Sequence, residues 1–242
     1  MITRTLIPYE HEGTPLEGVM VADAACQVPR PGVLLVHEFT GLGEYVLAHA
    51  DRLAAEGYAV FACDMYGAGI RPQNHSEASH HSRIYRGNRR LMRRRAQAGL
   101  TTLAASPFVD AAKLLALGFS FGGCTVLELA RSGADLLGAA SFYGYLNTPF
   151  PCSPGDIRGK LLVLHGAQDK VVPMDEIPTF AEEMERAGTD CRIMIYTDVG
   201  HGFSNETLVT DPSTGSAYCP KTAGRAWGTL LRFYAELLNE ME

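Results

Sequence analysis

Short apolar runs recur along the chain and predict the strands of a buried sheet. A run without polar interruption, such as Val33-Leu34-Leu35-Val36, is typical of a strand covered on both faces. The strands predicted in this way are 33–36, 59–63, 113–120, 139–143, 160–165 and 192–196. Two earlier segments, 3–10 and 16–21, alternate between apolar and polar positions and predict a further pair of strands.

The segments between these strands carry apolar residues at three- and four-residue spacing, which indicates helices with one buried face. The predicted helices are 45–56, 83–105, 124–131, 176–187 and 218–238. Residues 67–82, rich in Gly, Asn, Ser and His, and the Pro-rich residues 147–159 are predicted as loops. Alternating strands and helices predict an α/β fold, with a mostly parallel central sheet and helices on both faces. Because no linker divides the chain, we expect one domain over residues 1–242.

Composition and charge narrow the classes of function. The chain has a formal net charge of −6, which argues against a general nucleic-acid binder. We find no apolar stretch long enough to span a bilayer, and the first residues lack the apolar core of a secretory signal. The six cysteines form no C-x-x-C pair, so we expect reduced thiols and a cytoplasmic protein. Because no stretch is long and apolar enough to span a bilayer, we expect no membrane partner. A monomer or a small homo-oligomer agrees with these features.

The segment Gly118-Phe119-Ser120-Phe121-Gly122 is the strongest indication of chemistry in the sequence. An apolar run precedes it and a helical stretch follows, so G-x-S-x-G lies at a strand-to-helix turn, the context of a nucleophile elbow. Glycines are needed there because the turn strains the serine backbone and brings the strand and the helix close together. The alternative is a glycine-rich turn that contains a serine by chance.

Two further polar residues follow predicted strands farther along the chain. A serine hydroxyl needs a base within hydrogen-bond reach, and that base needs a carboxylate to orient it. Asp169 and His201 each follow a strand, in the order nucleophile, acid, histidine that α/β-hydrolases have. Since the carboxyl ends of parallel strands meet at one edge of a sheet, we expect Ser120, Asp169 and His201 to form a catalytic triad.

Each of these assignments has competitors. Asp175 or Asp198 would be the acid if the expected aspartate only caps the following helix. His165 is predicted to be a core histidine with satisfied hydrogen bonds, because it lies within a strand. His37 is a second competitor, but the Gly-His-Gly setting favours His201 as the base.

The oxyanion of an acyl-transfer reaction needs backbone N–H donors beside the nucleophile. We expect these donors from Phe121 and from Phe39, in the loop after the first buried strand. Glu38 would repel the developing negative charge unless it takes part in the chemistry; the alternative is a surface glutamate at the end of a strand. The aromatic side chains of Phe39, Tyr143 and Phe203 are predicted to line the pocket and to favour an apolar acyl or aryl group.

Together these motifs resemble the dienelactone hydrolase family. The matching segments are Val36-His37-Glu38-Phe39-Thr40-Gly41, Gly118 to Gly123, His165-Gly166-Ala167-Gln168-Asp169 with Val172-Pro173, and Gly200-His201-Gly202-Phe203. They run in the family's order over nearly the whole chain. The resemblance implies a single α/β-hydrolase domain that acts on small esters or lactones without a cofactor. It also implies a triad of Ser120, Asp169 and His201, contact between Glu38 and the nucleophile, and oxyanion donors at Phe39 and Phe121.

Two positions depart from the pattern of the family. Its usual nucleophile is cysteine, whereas this chain has Ser120. A glutamate can help to ionise a thiol but not a hydroxyl, so a serine member must work through His201. The family's substrate carboxylate is held by arginines, one of them shortly after the catalytic histidine, and here that stretch reads Phe203-Ser204-Asn205. The sequence therefore argues against dienelactone itself as the substrate.

Two other features carry weaker hypotheses. His75, His80 and His81 could suggest a metal, but no Cys, Asp or Glu lies at ligand spacing, so no metal and no cofactor are expected. The many arginines of the segment 83–95 could bind nucleic acid or a membrane surface. Because they lie on several faces of the predicted helix and the chain is acidic overall, a solvated helix is expected instead.

We therefore predict a hydrolase of small carboxylic esters or lactones that works through an acyl-enzyme. Its partner would be a small-molecule substrate, with no nucleic acid and no membrane. A promiscuous phosphotriesterase or a peptidase could use the same site, although a peptidase of this fold usually carries an added domain that 242 residues do not accommodate. The remaining alternative is an inactive binding protein of the same fold, or a protein whose nucleophilic cysteine has been substituted.

Overall fold

The computed structural model describes residues 1–26 and 28–241, and its strands form one mixed sheet. The strands are β1 (Ile2–His11), β2 (Thr14–Asp23), β3 (Arg30–Val36), β4 (Ala59–Cys63), β5 (Val109–Phe119), β6 (Gly138–Phe142), β7 (Lys160–Gly166) and β8 (Cys191–Tyr196). The helices are α1 (Glu44–Ala55), α2 (His75–Gly87), α3 (Arg89–Ala104), α4 (Phe121–Arg131), α5 (Glu176–Ala187) and α6 (Pro220–Asn239).

The eight strands lie in the order β1-β2-β4-β3-β5-β6-β7-β8. Strand β2 runs antiparallel to β1 and β4, and the other neighbouring pairs are parallel. The mostly parallel sheet predicted from the sequence is therefore confirmed. Because β3 and β5 to β8 all run in one direction, the loops that follow them lie along one edge of the sheet.

Helices cover both faces of the sheet. Neighbouring residues of a strand point to opposite sides, so each strand contributes apolar side chains to both helix layers. In β3, Leu34 and Val36 pack with buried side chains of α3, α4 and α5, whereas Val33 and Leu35 pack with those of α1 and α6. These strand residues are fully buried, which explains why the strand is apolar at consecutive positions.

The segment predicted as a loop followed by one long helix contains two helices instead. Asn74 accepts from the Glu77 N–H at 3.0 Å, and the Glu77 carboxylate accepts from the Gln73 N–H at 2.9 Å, so these two side chains cap the start of α2. Asn88 ends α2 and accepts from the Leu91 N–H at 3.1 Å, which begins α3. Because the whole segment is polar, the residue pattern does not distinguish these two helix caps from loop residues.

Several arginines of this region belong to the fold, so the expectation of a solvated helix is wrong for them. Arg89 is buried, and Arg93 donates to the fully buried Glu128 at 2.8 Å. Arg131 also donates to Glu128, at 3.2 Å, and pairs with Glu183 on α5 at 2.7 Å. Buried carboxylates need such partners, so these arginines join α3, α4 and α5.

Within the described residues, no helix is both long and apolar enough to cross a membrane.

Candidate active site

Ser120 lies in the sharp turn between the end of β5 and the start of α4. Its backbone has φ 51° and ψ −110°, a conformation that residues other than glycine rarely adopt. A Cβ on Gly118 would lie 2.1 Å from the carbonyl oxygen of Gly122, and one on Gly122 would lie 2.1 Å from that of Val36. The turn therefore requires both glycines of the motif and has the strained geometry of a nucleophile elbow.

The residues expected to act with Ser120 converge on its hydroxyl. His201 Nε2 lies 2.9 Å from Ser120 Oγ, and His201 Nδ1 lies 2.8 Å from Asp169 Oδ2. Asp169 Oδ1 accepts from the backbone N–H groups of Val171 and Val172, both at 2.8 Å. Because both carboxylate oxygens are engaged, the imidazole ring is oriented with Nε2 towards the serine.

The competing acids and one competing base lie in other environments. Asp175 and Asp198 are exposed. His37 is fully buried; its Nε2 accepts from the Met65 N–H at 3.3 Å, so its Nδ1 donates to the Glu38 carbonyl at 2.6 Å. Burial lowers the pKa of His37 to about 4. This histidine is therefore a neutral group that holds the loop after β3 in place.

His165 is buried in β7, as the sequence predicts, but its hydrogen bonding differs from the expectation. Neither ring nitrogen makes a well-formed hydrogen bond within residues 1–26 and 28–241, although the backbone of Val172 is near enough to interact with the ring. The expectation of a satisfied histidine is wrong in that respect. Burial lowers the pKa of His165, which favours its neutral form.

Two residues that line the cavity with Ser120, Phe39 and Phe121, are the expected oxyanion donors. Phe121 is the first residue of α4, where the helix itself supplies no acceptor for the N–H. Phe39 follows β3, and its N–H meets no backbone acceptor in the part of the chain that the structure describes. Both residues line the same cavity as Ser120, which is compatible with the expected role in binding an oxyanion.

Glu38 is buried, so the alternative of a surface glutamate is wrong. Its Oε1 accepts from the Tyr143 hydroxyl at 3.1 Å and its Oε2 accepts from Asn205 Nδ2 at 2.8 Å. Glu38 lines the same cavity as Ser120, but among the described residues its carboxylate is hydrogen-bonded to Tyr143 and Asn205 rather than to the serine hydroxyl. Burial raises the pKa of Glu38, while the nearby His201 and the two donors act in the opposite direction.

The prediction that Tyr143 and Phe203 line the pocket is wrong. Both side chains are fully buried beneath the site, and Phe203 packs edge-on against the Tyr143 ring with centroids 5.2 Å apart. Tyr143 follows β6 with φ 41°, and its hydroxyl reaches Glu38 rather than the cavity. The residue type suggests an aromatic wall, but the direction of each ring depends on backbone conformation and packing, which the residue type does not show.

The cavity above Ser120 has a volume of about 730 Å³. Its apolar and aromatic walls come from Phe39, Tyr45, Tyr145, Val171, Leu208 and Val209. Arg83 and Arg86 of α2 also line it, and the Arg86 guanidinium lies 3.7 Å from the centroid of the Tyr145 ring. Sequence reasoning missed Tyr45, Tyr145 and the loop that carries Leu208. A tyrosine shortly after β6, at the edge of the sheet that carries the other site residues, was the available signal for Tyr145.

The histidines considered as metal ligands pack against aromatic rings instead. His75 lies edge-on to Phe39 at 5.2 Å, and His81 stacks on Tyr66 at 5.3 Å, both measured between ring centroids. Across residues 1–26 and 28–241, no group of three or more His, Cys, Asp or Glu side chains could hold a metal ion.

The chain is similar to known proteins in both sequence and fold. The model of the dienelactone hydrolase family matches residues 16–238. An Aquifex aeolicus protein named "Putative carboxymethylenebutenolidase" is 24% identical over 239 residues, which cover 97% of this chain and 99% of that protein. The solved structure of P91, a dienelactone hydrolase-like promiscuous phosphotriesterase from metagenomic libraries, has a TM-score of 0.89 at 33% identity and 98% coverage of both chains. An acylaminoacyl peptidase of Pyrococcus horikoshii shares the fold alone, with a TM-score of 0.73, 13% identity, and coverage of 97% of this chain and 41% of that chain.

Proposed function

The chain belongs to the dienelactone hydrolase family, and on that basis we propose that it hydrolyses small carboxylic esters or lactones through an acyl-enzyme on Ser120. The observation that carries the proposal is the continuous hydrogen-bonded series from Ser120 Oγ through His201 to Asp169, with contacts of 2.9 and 2.8 Å, at the floor of an open cavity. We also propose that residues 1–242 act as one domain that contains every group the reaction needs.

The first half of the reaction forms the acyl-enzyme. His201 Nε2 accepts the hydroxyl proton as Ser120 Oγ attacks the carbonyl carbon of the substrate. The oxyanion that develops accepts hydrogen bonds from the N–H groups of Phe39 and Phe121. His201 then gives its proton to the leaving alkoxide, and the carbon–oxygen bond of the ester breaks. Asp169 stabilises the imidazolium and keeps its ring in place.

The second half repeats these roles with water as the nucleophile. His201 removes a proton from a water molecule that attacks the acyl carbon, and the same two N–H groups bind the second oxyanion. Collapse of the intermediate releases the carboxylic acid and returns the proton to Ser120 Oγ. Because a lactone is opened by the same attack, its product stays one molecule that carries both the new hydroxyl and the new carboxylate.

The walls of the cavity favour a neutral, apolar acyl or aryl group. Phe39, Tyr145 and Val171 surround the space above Ser120, and the amide of Asn205 is already bound to Glu38. Asn205 also lacks the two-pronged cationic match that arginine offers a carboxylate. Arg83 and Arg86 of α2, which also line the cavity, act in the opposite direction because they attract anions.

A neutral phosphotriester is the second candidate substrate. P91, whose fold and family are close to those of this chain, is described as a promiscuous phosphotriesterase. The N–H groups proposed to bind an oxyanion can equally hold a phosphoryl oxygen, because both place negative charge on an oxygen beside the attacked centre. We expect such turnover to be slow beside ester hydrolysis, since water must then release a phosphorylated serine.

Covalent labelling of Ser120 tests the proposal. A fluorophosphonate probe reacts only with a serine that a neighbouring base activates, so we expect labelling of the wild type and none of Ser120→Ala. His201→Ala should label far more slowly, whereas Ser153→Ala, which changes an exposed serine, should label like the wild type. An unlabelled wild type would instead support an inactive binding protein. A panel of acyl esters, lactones and peptides, run against the wild type and Ser120→Cys, then identifies the substrate class and tests the peptidase alternative.

A further inference from the structure

A second hydrogen-bonded group of side chains lies behind the proposed triad and ends at Glu38. The Tyr143 hydroxyl donates to Glu38 Oε1 at 3.1 Å and also contacts Ser204 Oγ at 2.8 Å and the Tyr45 hydroxyl at 3.1 Å. Ser204 Oγ and the Tyr45 hydroxyl are themselves 3.1 Å apart. Three hydroxyl groups, from the residue after β6, from α1 and from the loop that carries His201, therefore meet at one point beside the carboxylate.

The group continues to α1 through His49. His49 Nε2 lies 3.2 Å from the Tyr45 hydroxyl, and the ring packs against Phe119 and Trp227 with centroids 4.6 and 5.3 Å away. Burial lowers the pKa of His49 to about 3, so the ring is neutral. When His49 carries its proton on Nε2, it donates to the Tyr45 hydroxyl. The hydroxyl groups of Tyr45, Ser204 and Tyr143 can then each donate to the next group in the direction of Glu38, so all of these hydrogen bonds form together.

The second carboxylate oxygen of Glu38, Oε2, also accepts a hydrogen bond from a donor with a fixed orientation. Asn205 Nδ2 donates to Oε2 at 2.8 Å, and Asn205 Oδ1 accepts from the Thr207 N–H at 2.9 Å and from Thr207 Oγ1 at 2.7 Å. Since the amide oxygen is committed to Thr207, the NH₂ group must face the carboxylate. Both oxygens of Glu38 thus receive a hydrogen bond from a buried donor whose orientation is fixed by further contacts.

We propose that Tyr143 and Asn205 are positioning residues that hold the Glu38 carboxylate beside His201, and that Tyr45 and Ser204 orient the Tyr143 hydroxyl for this purpose. The inference rests on the proposed function, because it assigns a task to Glu38 in that reaction. A fixed negative charge near His201 stabilises the imidazolium that forms each time Ser120 loses its proton. Tyr143 and Ser204 do not line the cavity, whereas Tyr45 and Asn205 also border it; we assign all four residues a role that acts through Glu38.

The position of these polar groups beside the cavity indicates a role in the reaction rather than in packing alone. A buried carboxylate costs stability even when it is hydrogen-bonded, and this one adjoins the cavity with Ser120. Tyr143 adopts φ 41° to bring its hydroxyl there, a conformation that a bulky residue rarely holds without a strong local reason. Polar groups retained at a cost beside a reactive site are typical of function.

A double-mutant cycle on the hydrolysis of 4-nitrophenyl butyrate tests the inference. Tyr143→Phe keeps the ring that packs edge-on against His201 at 5.2 Å and removes only the hydroxyl. Since a hydrogen bond to a charged group is involved, we expect kcat/KM to fall about tenfold in the wild-type background. In the Glu38→Gln background the same change should alter kcat/KM by less than about twofold, because its target is gone. Equal losses in the two backgrounds would overturn the inference.

Tyr234→Phe is the matched control. Its hydroxyl is buried and donates to the Ala116 carbonyl at 2.9 Å, in the core under α6. We expect a loss of thermal stability comparable to that of Tyr143→Phe, with no dependence of kcat/KM on the residue at position 38. Ser204→Ala provides a milder second probe of the same hydroxyl group if Tyr143→Phe does not fold. Its effect should likewise vanish in the Glu38→Gln background.

A titration that needs no turnover separates this inference from the proposed function. The titratable groups that face Glu38 are His201, Tyr143 and Tyr45, while Asn205 and Ser204 are neutral. Followed by ¹³C NMR of labelled glutamate, the pKa of Glu38 should rise in Tyr143→Phe, because a donor to the ionised form is lost. It should stay unchanged in Tyr234→Phe. A wild type that is inactive on esters contradicts the proposed function, whereas an unchanged pKa in Tyr143→Phe contradicts the positioning role.

Discussion

Asn205 Nδ2 donates to Glu38 Oε2 at 2.8 Å and so ties the loop that carries His201 to the loop after β3. The two loops supply the proposed base and one of the proposed oxyanion donors, Phe39. Their relative position therefore depends on a buried carboxylate that borders the cavity. This single contact links the stability of the fold to the chemistry of the site.

Replacing Glu38 by glutamine should stabilise the protein near neutral pH. Burial raises the pKa of Glu38 above its ordinary 4.5, so above that pH the folded protein holds its proton more tightly than the unfolded chain. Stability then falls as pH rises through this window, until Glu38 is ionised in both states. In Glu38→Gln the amide oxygen can face Asn205 and the NH₂ group can face the Tyr143 hydroxyl, which is able to accept.

Thermal unfolding of the two proteins from pH 4 to 8 measures this effect. We expect the variant to have the higher Tm at pH 7, and the difference to shrink as the pH falls towards about 4.5 and both states of the wild type become protonated. A lower Tm for the variant at pH 7, or a difference that does not change with pH, would contradict the destabilising effect of burying the Glu38 carboxylate.

The buried ion pairs among α3, α4 and α5 should contribute strongly to stability. Arg131→Met leaves Glu128 and Glu183 without their shared partner, and breaking a buried pair from one side costs about 3–5 kcal/mol. Urea unfolding measures the change in the free energy of unfolding. Arg158→Met is the control, because its pair with Asp135 at 3.8 Å is exposed and should change that free energy by less than about 0.5 kcal/mol. Similar losses in both variants would show that burial is irrelevant to these pairs.

A neutral aryl ester should have a higher kcat/KM than an analogue that carries a carboxylate. The cavity is mostly apolar, and the Arg86 guanidinium is stacked 3.7 Å from the Tyr145 ring. Arg83 and Arg86 can speed the approach of anions, but salt screens such attraction over about 8 Å at physiological ionic strength. Added salt should therefore widen the preference for the neutral ester. A preference for the acidic analogue that persists at high salt would point to a direct ion pair with one of these arginines.

Much of the fold is visible in the sequence because parallel strands are buried on both faces. Apolar runs such as 33–36 and 161–164 therefore identify strands without any knowledge of their neighbours. The loops at their carboxyl ends share one edge of the sheet, so polar residues in those loops can be grouped before their distances are known. Ser120, Asp169 and His201 are therefore predicted together from the sequence.

What the sequence did not predict depends on direction and on long-range partners. The aromatic type of Tyr143 suggested a cavity wall, whereas a backbone φ of 41° turns its hydroxyl to Glu38. Arg93 and Glu128 are 35 positions apart, so no local pattern shows that they pair. The start of α2 is an exception, because its N-cap residue Asn74 is visible in the sequence but lies in a segment that is polar throughout.

The central claim is that Ser120 and His201 act as one unit, and the kcat of three variants tests it most directly. Ser120→Ala and His201→Ala should each lower kcat on 4-nitrophenyl butyrate by about 10⁴-fold or more. Members of a triad lose their function together, so the double variant should lie within about threefold of either single variant. Losses that multiply in the double variant, or a His201→Ala variant that keeps most of its activity, would contradict the claim.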